Sequence, residues 1–148
     1  MSLTLLPIAS IGFPAWQRLW FAYLGALADG LAPGQHEATY RRLADPNGVL
    51  FGIAAQVSDV AVGFAHCYFH PSTYHTAEDC CLQDLYVDAS ARGQGVGRAL
   101  VDAVAEEARR RGAPVLHWKT RATNAAALAL YERFAQRTEF VSFRLALP

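Results

Sequence analysis

Cysteine is scarce in this chain: Cys67, Cys80 and Cys81 are the three among 148 residues. An odd count with two adjacent members makes a poor disulfide framework. Buried, reduced thiols fit better, and they lead us to expect a cytoplasmic protein. An excess of charge is also lacking, since thirteen basic residues balance thirteen acidic ones. A nucleic-acid binder needs a basic footprint, and no such partner is expected. The run Arg109-Arg110-Arg111 falls at the end of an expected helix, where cations suit the helix dipole. No apolar run approaches the roughly 18 residues that span a bilayer, so no membrane partner is expected. The N-terminus shows no basic region followed by an apolar stretch, and no secretory leader is expected. His36, His66, His70, His75 and His117 lack the paired short spacings of a tetrahedral site, and no metal is expected.

What is present is apolar mass. Hydrophobic residues make up 53% of the chain and charged residues 18%, enough to fill the core of one domain spanning residues 1–148. Residues 2–6 read as a strand stopped by Pro7. Pro14 suits the first turn of a helix, in which Trp16, Leu19, Trp20, Tyr23, Leu24 and Leu27 recur at helical spacing. Core packing is the favoured reading of the two tryptophans, over a substrate wall. A second helix is expected over 35–44, and Asp45-Pro46-Asn47-Gly48 is a turn signal. Strands over 49–57, 60–69 and 80–87 follow, with short turns that favour antiparallel pairing. A helix then runs to about Arg111, stopped by Gly112 and Pro114. A strand over 115–120, a helix over 124–134 and a last strand over 140–147 complete the order βααβββαβαβ. The expected fold is α/β (α+β): a mixed, mostly antiparallel central sheet flanked by helices.

The chemistry concentrates where the fourth strand enters the third helix. Arg92-Gly93-Gln94-Gly95-Val96-Gly97-Arg98 places three glycines within five residues at a helix N-terminus. Glycine lets the backbone approach a ligand closely. The first helical amides lack internal partners, and the dipole favours an anion there. Arg92 and Arg98 add positive charge. A nucleotide P-loop would need Gly-Lys-Ser/Thr, but Arg98-Ala99 follows Gly97. A dinucleotide fingerprint would need glycine at position 98 or 100, where Arg98 and Leu100 stand.

The pattern Arg/Gln-x-x-Gly-x-Gly/Ala resembles that of the GCN5-related N-acetyltransferase (GNAT) superfamily. The resemblance extends from about Leu82 to Phe134, through Leu85-Tyr86-Val87, Trp118-Lys119-Thr120, Asn124 and Leu130-Tyr131. It implies the acyl-CoA N-acyltransferase fold and direct acetyl transfer from acetyl-CoA to a primary amine, of a small molecule or an exposed peptide or lysine. It also implies roles. Main-chain groups of Leu85, Tyr86 and Val87 would pair with the pantetheine arm. Amides of Arg92, Gly93, Gln94, Gly95, Val96, Gly97 and Arg98 would hold the pyrophosphate. Asn124 would bond the pantetheine, and Tyr131 would protonate the leaving thiolate. The two sheet strands would part near Val87.

Asn124 and Tyr131 stand seven residues apart, nearly two helical turns, and so share a face. A phenol is a plausible acid for a thiolate. Asn124 also reads as an N-cap. The base is harder to place. Relatives of this kind often carry glutamate or histidine where Cys81 and Gln83 stand, and a neutral amide is no base. Asp84 faces the other side of an ideal strand, and a structural use is favoured for it over catalysis, with a water relay or an amine that arrives neutral left open. Glu78 and Asp79 could attract a cationic amine. Cys81 reads as a core thiol rather than a nucleophile. The alternative to an enzyme is a non-catalytic acyl-CoA-binding regulatory module of the same fold. The common Gly-Phe pair is missing after the last helix, and one strand follows it where two are typical. A partner chain could supply the other, so a homodimer is expected.

Overall fold

The computed structural model describes residues 2–148. The chain divides into two compact units, Met1–Trp118 and Lys119–Pro148. The first contains strands β1 (Leu3–Pro7), β2 (Leu50–Val57), β3 (Val60–His70), β4 (Asp79–Val87) and β5 (Leu116–Trp118). Its helices are α1 (Phe13–Leu24), α2 (Gln35–Ala44) and α3 (Val96–Arg110). The second contains α4 (Ala125–Tyr131).

The five strands lie in one sheet in chain order. β1 to β4 pair antiparallel, and β4 pairs β5 parallel. The β2–β3 hairpin turns on Ser58 and Asp59, both left-handed at φ 50° and 66°. That is the twist which brings two right-twisted strands back together. The parallel pair is what a strand–helix–strand crossover through α3 delivers.

Side chains of β3 alternate between two helical layers. Phe64 and His66 face α1, where Trp16 and Leu19 are fully buried and Trp20 nearly so. Core packing of both tryptophans is therefore observed. Leu43 of α2 joins the same cluster. The opposite face carries α3: Leu100, Val104 and Ala108 turn inward, and Leu100 lies beside Gly63. At the end of α3 the Arg111 guanidinium stacks on Phe51 and Phe69, 4.9 and 4.8 Å from their ring centres. Cys67, Cys80 and Cys81 are buried.

Two expectations need correction. No strand forms over 140–147. Phe140, Val141, Phe143, Leu145 and Leu147 are 76–92% exposed. Alternating apolar residues make a strand only when an edge pairs with them. The expected strand over 115–120 is also shorter, ending at Trp118.

Candidate active site

β4 changes character part-way along. It is held by β5 through Cys80↔Leu116, Cys81↔His117 and Leu82↔Trp118, and there the pairing stops. On the other side, pairing with β3 continues to Gly63↔Val87. The strands therefore part after Leu82, not near Val87 as the sequence suggested. The cause is local. Register on β3 steps from Cys67↔Leu82 to His66↔Asp84, leaving Gln83 as the extra residue of a β-bulge. A bulge bends its strand and increases its twist, which carries residues 83–87 away from β5.

The bulge also changes which side chains share a face. Tyr68↔Cys81, His66↔Asp84 and Phe64↔Tyr86 all lie on the α1 side. Strict alternation would put Cys81 and Asp84 on opposite faces. The extra residue moves Asp84 onto the face of Cys81 and Tyr86, and Gln83 becomes exposed.

Asp84 is held there by neutral donors. The Tyr23 hydroxyl donates to Oδ1 at 3.1 Å, and His66 Nδ1 lies 3.0 Å from Oδ2. Trp16 Nε1 donates to His66 Nε2 at 3.0 Å. An indole N–H only donates, so the neutral ring's proton is on Nδ1 and points at Asp84. Burial pushes the His66 pKa below its ordinary value, against the opposing pull of Asp84, and the ring is neutral. Sequence reasoning missed His66 and Tyr23. Only the register of β3 against β4 brings His66 to Asp84.

Past Val87 the chain makes one 3-10 turn, Ala89–Ala91, and then the glycine turn. Gly93 and Gly95 have φ of +74° and +82°, and no atom lies within 4 Å of where a Cβ would stand. Left-handed backbone of this kind is open to glycine and strained for other residues. Ala99 is the first amide of α3 to bond back, to Gly95 O at 3.0 Å, so the amides of Val96, Gly97 and Arg98 precede the helical ladder. The arginines are partly committed. Arg92 Nε donates to Val87 O at 2.9 Å. Arg98 pairs with Asp102 at 2.9 Å.

The structure thus brings Gln83, Asp84, Leu85, Tyr86 and Val87 into one line with the turn of Arg92, Gly93, Gln94, Gly95, Val96, Gly97 and Arg98. Glu78 and Asp79 lie at the far end of β4, about 13 Å or more from Gln83 at ~3.3 Å per residue. Asp79 is paired with His75 at 3.0 Å. Within the second unit, Asn124 caps α4, its Oδ1 accepting from the Ala127 amide at 3.1 Å. Burial pushes the Tyr131 phenol above its ordinary value of 10.0, so it keeps its proton at neutral pH.

The acetyltransferase (GNAT) family profile matches residues 13–135. The chain belongs to this family. It is 35% identical over 132 residues to a D-amino-acid N-acetyltransferase of Saccharomyces cerevisiae, covering 88% of this chain and 82% of that one. Over 55 residues it is 42% identical to the ribosomal protein bS18 alanine N-acetyltransferase of Escherichia coli, 37% of each chain. The aminoglycoside N-acetyltransferase AAC(6')-Iy, solved with a bisubstrate analogue, superposes over 100% of both chains. Its TM-score is 0.86 at 18% identity, a likeness of fold alone. The protein is accordingly an acetyl-CoA-dependent N-acetyltransferase of the GNAT family.

Proposed function

We propose that this N-acetyltransferase moves the acetyl group of acetyl-CoA directly onto the primary amine of a small molecule. One observation carries the reading: β4 loses β5 after Leu82 and leads an open main-chain edge straight into the glycine turn heading α3. Main-chain groups of Leu85, Tyr86 and Val87 pair with the pantetheine amides, as an added strand would. Amides of the turn and the first turn of α3 receive the pyrophosphate. Asn124 bonds the pantetheine from α4. Because the thioester is already activated, no covalent enzyme intermediate is required. The neutral amine nitrogen attacks the acetyl carbon, the carbon–sulfur bond breaks, and Tyr131 gives its proton to the leaving thiolate; the proton shed by the nitrogen passes to water, from which the tyrosinate is reprotonated. The similarity to a D-amino-acid acetyltransferase, across 88% of the chain, favours a small amine over a protein.

The test is thiol release from acetyl-CoA with a panel of D- and L-amino acids, polyamines and aminoglycosides. Turnover with at least one small amine is expected. Coenzyme A binding with no acceptor above background hydrolysis would make the chain a binding module instead.

Two finer readings accompany this one. The three buried cysteines suit a reducing cytoplasm. The exposed alternating apolar residues of 140–147 suit association with a second copy, which would give that segment its missing edge. Sedimentation or light scattering checks it: Phe143→Ser should shift a dimer toward monomer.

A further inference from the structure

Asp84 is a carboxylate without a cation. Its recorded partners, Tyr23 and His66, are neutral donors. Among the described residues no lysine or arginine pairs with it. Nearby Arg18 is spent on Asp88 and the Ala61 carbonyl, and Arg92 on the Val87 carbonyl. The side chain is 17% exposed, so its charge is neither fully solvated nor neutralised by a partner. An ionised carboxylate accepts about four hydrogen bonds, and two are used. Partial burial strengthens its field toward whatever approaches.

Its place is as telling as its charge. Asp84 is the first β3-paired residue after the bulge and stands immediately before Leu85, where the open edge of β4 begins. The buried relay behind it is fixed at every step. Trp16, anchored in the core of α1, sets the His66 tautomer, and His66 sets Asp84 Oδ2. Such a chain of satisfied bonds gives a carboxylate one orientation and no proton donor strong enough to neutralise it.

We propose that Asp84 is the counter-ion that captures the cationic amine of the acceptor, and that His66 is a positioning residue that aims it. This inference rests on the acetyl-transfer reading above. Capture is a binding step, with no bond made or broken. It selects acceptors that arrive as ammonium ions and seats their nitrogen beside the thioester end of the open edge, where the ammonium releases one proton to water before its lone pair attacks.

The experiment compares two acceptors in the full-length enzyme: an alkylamine that is cationic at neutral pH and an arylamine that is neutral there. Asp84→Asn keeps the shape and removes the charge. It should raise the alkylamine KM about tenfold or more, the scale of one desolvated charge contact. The arylamine KM and the coenzyme A Kd should stay within about twofold. His66→Phe keeps the stacking on Phe64 and removes the donor, and should copy that pattern. His66→Asn, whose amide N–H can stand where Nδ1–H stood, should restore the alkylamine KM to within about threefold. The double variant Asp84→Asn/His66→Phe should be no worse than the single ones if His66 acts through Asp84. Equal losses for both acceptors in Asp84→Asn would overturn the proposal. So would identical behaviour of His66→Phe and His66→Asn. If His66→Phe does not fold, the isosteric Asp84→Asn comparison still decides. Wild-type enzyme that acetylates neither acceptor nor any other amine would sink the transfer reading, a separate outcome.

Discussion

The two halves of β4 are one strand in two environments. From Cys80 to Leu82 it is paired on both sides, and Cys80, Cys81 and Leu82 are 0%, 8% and 3% exposed. From Gln83 to Val87 it is paired with β3 alone, and no residue reaches that degree of burial. The first half is structure: its main-chain groups are consumed by the sheet. The second half keeps one row of amides and carbonyls beyond the β5 pairing, and such groups are obligatory bonding groups wherever water is excluded. A single extra residue, Gln83, separates the halves. One insertion thus turns the interior of a sheet into an edge and rotates Asp84 onto the face of Cys81 and Tyr86.

The comparison breaks most sharply where the halves are most unlike. Leu82→Ala removes a buried side chain from the closed half and should cost about 2–5 kcal/mol of stability, read by urea unfolding. The acetyl-CoA KM of the folded variant should barely move. Leu85→Ala, in the half-buried open half, should do less to stability. Equal destabilisation by the two would show that the halves are not distinct.

Tyr131→Phe tests the chemistry proposed for the open half from outside the strand. Loss of the general acid should lower kcat about a hundredfold, within the usual range for such a group, while the coenzyme A Kd is unchanged. Burial raises the wild-type phenol above 10.0, so its proton is available throughout the neutral range. Any loss of kcat from its ionisation should therefore appear only above about pH 10, and the phenylalanine variant should lack that limb. Native turnover in the variant would remove Tyr131 from the mechanism.

Gly63→Ala probes the seam between β3 and the open half. A Cβ there would sit 2.7 Å from the Tyr86 carbonyl oxygen, too close for the strands to stay as they are. The expected cost is about 1–3 kcal/mol from overpacking. The acetyl-CoA KM should rise several-fold, because the displaced stretch is the proposed cofactor edge. A stability loss with no change in KM would detach the open half from cofactor binding.

Much of this was legible in the sequence because it was local. Helix α3 announced its end by Gly112 and Pro114. The glycine turn announced itself by spacing, and Asn124 by its capping chemistry. What stayed hidden depended on pairing between distant segments. Nothing in Leu82-Gln83-Asp84 marks a bulge, since the extra residue exists only relative to β3. The alternation rule therefore placed Asp84 on the wrong face. His66 and Tyr23 reach Asp84 across separations of 18 and 61 residues, which no periodicity encodes. The tail failed for the converse reason: residues 140–147 have the pattern of a strand, but pattern supplies no partner.

The finest test lies at the seam itself, because His66 pairs opposite Asp84 just past the bulge. Burial holds the folded His66 below its ordinary 6.5, so as pH falls below that value the unfolded chain takes up this proton more readily than the folded one. Stability then declines toward acid, because it rises with pH wherever the unfolded state binds more protons. His66→Asn cannot titrate, so its unfolding free energy should decline less between about pH 7 and pH 5 than that of the wild type. The difference between the two curves isolates His66 from the titrating groups that both proteins share. Parallel curves would mean that the ring is not held neutral. The tautomer that aims Nδ1–H at Asp84 would then lose its footing, and the open half would differ from the closed one in pairing alone.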